Sequence, residues 1–102
     1  MSSSSHVFQV RLRTRKFLWG GEYLLANLNS PTPIFITVQV NPMDDPIVLA
    51  QVRRGPSDME RVELGRLCGG ESFTITLNNI CGVEASPASG ALSTVQCTIH
   101  GQ

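Results

Sequence analysis

The sequence predicts an all-β protein: about eight short antiparallel strands folded into a jelly-roll-like β-sandwich. Three observations carry this. Apolar residues recur with period two through most of the 102-residue chain, the signature of half-buried strands. Turn-forming clusters of Gly, Pro, Asn and Ser break the pattern roughly every 10–12 residues. No segment sustains the 3.6-residue period of an amphipathic helix.

The elements follow in order. Phe8, Val10 and Leu12 alternate with Gln9, Arg11 and Arg13 in a first strand, which Gly20-Gly21 ends. Tyr23 to Leu28 is a second apolar run, closed by the loop Asn29-Ser30-Pro31-Thr32-Pro33. Ile34, Ile36, Val38 and Val40 form the clearest strand. A turn confined by Pro42 and Pro46 leads to Ile47–Val52. Met59 to Leu67 is ambiguous, because Ser57 and Glu60 imitate a helix capping box. Val62 and Leu64 nevertheless alternate, and Gly65 suits a helix interior poorly, so a strand is expected. Gly69-Gly70 turns into Phe73, Ile75 and Leu77; Asn78-Asn79 turns into Ile80–Ala85; and Val95, Cys97 and Ile99 end the chain. Ile36, Val38, Phe73, Ile75 and Val95 are the expected core. Eight strands fit a jelly roll, although period two alone does not separate it from an immunoglobulin-like sandwich. The Cys…Trp…Cys order of immunoglobulin domains is missing, since Trp19 precedes all three cysteines.

This length is one domain's worth. Residues 1–6 read as a flexible arm and residues 7–102 as a single sandwich domain. The net charge is zero but unevenly placed. Arg11, Arg13, Arg15 and Lys16 make the first twenty residues +4, and the remainder carries four arginines against eight acids, a net −4. General nucleic-acid binders are usually basic overall, so no nucleic-acid partner is expected. No stretch approaches the ~18 apolar residues of a membrane span, and Met1 to His6 lacks the regions of a signal peptide. The sequence holds no nucleophile elbow, phosphate-binding loop, HExxH or paired catalytic carboxylates, so neither an enzyme nor a cofactor is expected. His6 and His100 lie at the two chain ends and could meet if the terminal strands pair, but exposed histidines are the simpler reading. Asp44 and Asp45 read as turn chemistry, because calcium loops alternate more acids.

Arg11, Arg13 and Arg15 would stand roughly 6.5–7 Å apart along one strand face. They are candidate subunit contacts, together with Trp19. The plainer reading is a solvated face that blunts a sheet edge. Cys68, Cys81 and Cys97 are odd in number and lack metal-ligand spacing; two could pair, or all could be buried free thiols.

The run Gly21-Glu22-Tyr23-Leu24-Leu25, the Ile34–Val40 and Ile47–Arg53 strands, Val62-Glu63-Leu64, Gly69-Gly70-Glu71-Ser72-Phe73-Thr74-Ile75, Ile80-Cys81-Gly82-Val83 and a last strand carrying Cys97 together resemble the Ena-type pilin subunits of bacterial endospore appendages. The resemblance spans roughly residues 20–102. It implies an eight-stranded jelly roll behind a short N-terminal arm, assembly into fibres, and a place on a spore or cell surface. In that family the arm carries cysteines that cross-link to a neighbouring subunit. Residues 1–19 contain none, which puts covalent stacking through the arm in doubt.

These readings converge on a structural subunit that assembles with itself, in a ring or fibre, by β-sheet edge augmentation. A second structural protein is a further conceivable partner. The alternatives are a virion or surface-decoration protein, and a ligand- or carbohydrate-binding sandwich with Trp19 and Tyr23 as its stacking residues.

Overall fold

The computed structural model describes residues 5–20, 33–56 and 58–101. They form eight antiparallel strands and no helix: β1 (Ser5–Leu12), β2 (Lys16–Gly20), β3 (Ile34–Val40), β4 (Ile47–Arg54), β5 (Met59–Leu67), β6 (Ser72–Thr76), β7 (Gly82–Pro87) and β8 (Ser93–Gly101). Two four-stranded sheets result, one in the order β1-β8-β3-β6 and the other β2-β7-β4-β5. That order is a jelly roll, in which consecutive strands mostly alternate between sheets.

Alternation places the core. In the first sheet Ile36 lies between Ile75 and Ile99, and Val40 pairs with Val95, which pairs in turn with Val10. The second sheet contributes Ile47, Leu49, Leu67, Val83, Ala85 and Leu18. Of the five expected core residues, Ile36, Val38, Ile75 and Val95 are buried, whereas Phe73 is 44% exposed. It pairs with buried Val38 and so points inward. However, β6 is the outermost strand of its sheet, and β5 is the outermost strand of the other. Phe73 therefore lines a slot of about 130 Å3 on the open side of the sandwich, with Leu49, Leu64 and Leu67.

Two further expectations are corrected. The first strand does not run to Gly20. It ends at Leu12, the chain bends, and Lys16–Gly20 is a separate strand in the opposite sheet. The Arg stripe therefore does not lie along one strand: Arg11 is in β1, and Arg13 and Arg15 are in the bend. The apolar run Tyr23 to Leu28 lies outside the described residues. The ambiguous Met59–Leu67 segment is a strand, with a register shift opposite Leu49 and Ala50. Gly65 sits at that irregularity with φ +139°, a conformation that other residues rarely adopt. β1 starts at Ser5, two residues before the expected start of the domain.

The turn at Asp44 and Asp45 is tied into the fold. Asp44 Oδ2 accepts from the Thr94 N–H at 2.7 Å, and Asp45 Oδ2 from the Ser89 hydroxyl at 2.9 Å. Asp44 thus holds the β3–β4 turn against the start of β8, and Asp45 holds it against the β7–β8 loop, in keeping with the structural turn role expected of them.

Candidate assembly surface

Among the described residues four strands have an edge with no neighbour: β1 and β6 in the first sheet, β2 and β5 in the second. Free edges are ready templates for a further strand unless charges, prolines or bulges protect them. β5 is protected by Glu60, Arg61, Glu63, Arg66 and its register shift. β2 is short, carries Lys16, and shifts register between Phe17 and Trp19. β1 carries His6 and Arg11. The Ser-Phe-Thr-Ile-Thr sequence of β6 has no charge, no proline and an unbroken register with β3.

Two hydrogen bonds show which way the β6 backbone points. Leu77 N–H donates to Ile34 O at 2.7 Å, and Val40 N–H donates to Glu71 O at 3.0 Å. In an antiparallel ladder the hydrogen-bonded residues alternate with outward-facing ones. Odd-numbered residues of this stretch therefore bond β3, and the N–H and C=O groups of Ser72, Thr74 and Thr76 face the open edge.

The candidate contact residues sit in different settings. Arg15 Nε stands 3.5 Å from Glu84 Oε2 within the same domain. Trp19 is half-buried and packs against the core. Arg11 and Arg13 are exposed, and among the described residues neither side chain makes a hydrogen bond or ion pair. His6 packs on Phe8 with ring centroids 5.5 Å apart, and His100 stacks on Phe35 at 5.7 Å with Nε2 3.1 Å from Thr37 Oγ1. Among the described residues no group of three or more His, Cys, Asp or Glu could hold a metal ion.

One residue of consequence escaped the sequence reading. Glu84 is central in the second sheet and only 4% exposed, yet it lies on the outer face, because its neighbours Val83 and Ala85 fill the core. Arg61 Nε reaches Oε1 at 2.8 Å and Nη2 reaches Oε2 at 3.0 Å, a two-pronged pair. With Arg15 on the same carboxylate, Glu84 ties the β1–β2 bend to β5. The clue available in the sequence was a lone acid between Val83 and Ala85. Glu84→Ala is expected to cost about 2 kcal/mol in a urea melt. This is below the ~3–5 kcal/mol of a fully buried broken pair, because Arg15 and Arg61 are 59% and 40% exposed and regain water. A loss under about 0.5 kcal/mol would show the cluster to be ornamental.

Cys68, Cys81 and Cys97 are thiols that form no disulfide, the first exposed and the others buried. Burial pushes the Cys97 thiol from its ordinary 9.0 up to about 11. Folding thus favours the protonated form. The stability this contributes is complete below pH 9.0 and is lost as the pH rises towards 11. The thiolate is the reactive species, so a thiol reagent at about pH 8 is expected to modify Cys68 alone in the native protein. All three should react after unfolding. Mass spectrometry of the labelled peptides checks this, and native labelling of Cys97 would contradict the packing.

No protein-family model matches the chain, and no curated protein matches it. Among solved structures, a chain described under "Bacillus endospore appendages form a novel family of disulfide-linked pili" aligns with all of this chain and 91% of its own length, at TM-score 0.54 and 14% sequence identity. At that identity the likeness is one of fold alone.

Proposed function

We propose that this chain is a non-enzymatic structural subunit that assembles with itself into a fibre or ring displayed on a cell or spore surface. Assembly proceeds through β6, which adds a strand from the next copy to the β1-β8-β3-β6 sheet. The observation that carries this reading is the unprotected β6 edge, with the backbone groups of Ser72, Thr74 and Thr76 turned outward. Main-chain hydrogen bonding supplies affinity in such augmentation, and adjacent pockets supply selectivity. The Phe73 slot beside the edge suits an apolar side chain of the incoming copy. The likeness to an endospore appendage pilin supports the same reading at the level of fold. A contact between two different edges is head-to-tail, and its repetition gives a ring if the rotation closes and a filament if it does not.

Light scattering across about a hundredfold range of concentration, alongside electron microscopy, tests this. The expected result is a mass that grows with concentration as rings or fibres appear. A strict monomer throughout overturns the reading and favours a ligand-binding module.

A further inference from the structure

Arg11, Arg13 and Lys16 converge, with Thr14 and Leu92, on one cleft of about 420 Å3 at the β1–β2 bend. The register explains the convergence. β1 pairs with β8 through Arg11↔Thr94 and Leu12↔Ser93, so the chain beyond Leu12 runs past Leu92, and the bend brings Lys16 back beside it. Among the described residues none of the three cationic side chains makes a hydrogen bond or ion pair. Three acids elsewhere in the domain are already engaged: Glu84 with Arg15 and Arg61, Asp44 with the Thr94 N–H, Asp45 with the Ser89 hydroxyl. Among the described residues no acid lines the cleft.

From this geometry we infer that the cleft binds a phosphate monoester. A cleft lined by one sign of charge concentrates counter-ions of the other, and three cations call for a multiply charged one. A phosphate monoester near neutral pH carries close to two negative charges and three acceptor oxygens. Guanidinium forks match that geometry in two-pronged fashion. The Thr14 hydroxyl adds a neutral donor. Leu92 provides an apolar wall, and this selects an ester over free phosphate, because only the ester has a carbon body to lay against it. The site lies in a different part of the fold from β6 and stands independently of assembly through that strand.

Calorimetric titration of the full chain with phenyl phosphate and, separately, inorganic phosphate tests the proposal. The titrations are run at about 0.1 M ionic strength, where charges farther apart than about 10 Å are screened. Saturable one-to-one binding is expected for both probes, tighter for phenyl phosphate. The double variant Arg11→Gln/Arg13→Gln should weaken both by at least about tenfold. Leu92→Ala should remove most of the preference for the ester while leaving inorganic phosphate within about twofold. Arg53→Gln, at a distant surface ion pair with Glu60, should change neither, and unchanged thermal melts show that each variant is folded. Any of these results overturns the inference: no saturable binding of either probe; equal binding by the double variant; equal weakening by Arg53→Gln; or a double variant that loses self-association but keeps phenyl phosphate, which would make these arginines a subunit contact instead. Inorganic phosphate bound as tightly as the ester, with Leu92→Ala silent, also overturns it and leaves a site for free phosphate.

Discussion

Thr74→Pro is expected to leave a folded monomer that no longer assembles. Thr74 lies at the middle of β6, and its N–H faces the open edge, as the Leu77–Ile34 and Val40–Glu71 bonds establish. Proline there removes a donor that the next copy needs and takes nothing from the β6–β3 ladder. Such edge positions are where strands tolerate proline. Within the domain the change gives up the Thr37–Thr74 hydroxyl contact at 2.9 Å, which is exposed, so the expected loss of stability is only about 1 kcal/mol. Phe73→Pro, one residue away, would instead remove a bond to β3 and destabilise the domain itself. Light scattering and microscopy at a concentration where the unmodified chain forms rings or fibres give the readout. Thr74→Lys, which guards the edge with a charge, is the second variant should proline disturb the fold. Full assembly by both variants would exclude β6 as the pairing edge.

The largest loss of stability is expected from Ile36→Ala, about 3–4 kcal/mol. Ile36 is completely buried and lies on the inner face of β3, between Ile75 on one side and Ile99 on the other. Neither neighbour can collapse into the gap without moving a strand that is paired along its length. Phe73→Ala removes more atoms yet should cost only about 1 kcal/mol, because Phe73 is already 44% exposed at the open side of the sandwich. Measured by urea denaturation with unchanged slope, the two changes should therefore rank in the opposite order to the size of the side chain removed. A loss under about 1 kcal/mol for Ile36→Ala would refute its placement at the centre of the core.

Most of the fold was legible in the sequence, for a local reason. A strand with one face buried must alternate, so Ile34–Val40, the run of Phe73, Ile75 and Leu77, and the run of Val95, Cys97 and Ile99 announced themselves by their side chains alone. The same logic identified Ile36, Val38, Ile75 and Val95 as core. The break between β1 and β2 was not legible: Arg13, Thr14, Arg15 and Lys16 contain neither glycine nor proline, and the chain turns there because its two halves belong to opposite sheets. Glu84 was hidden for a related reason. Alternation shows that it faces away from Val83 and Ala85, but not that Arg61 reaches over β4 to cover it.

What the sequence by itself determined is therefore the class of fold, most of the strands and the inward-facing side of each. Tertiary structure alone decided which strands stand at the edges, and with them the candidate surface. The Ile34–Val40 and Phe73–Leu77 stretches look equally unguarded as text, yet β3 is enclosed between β8 and β6, whereas among the described residues β6 has a neighbour on one side alone. Alternation is written into each segment by its own burial. Edge position depends on the order in which distant segments pair, and no single segment records it.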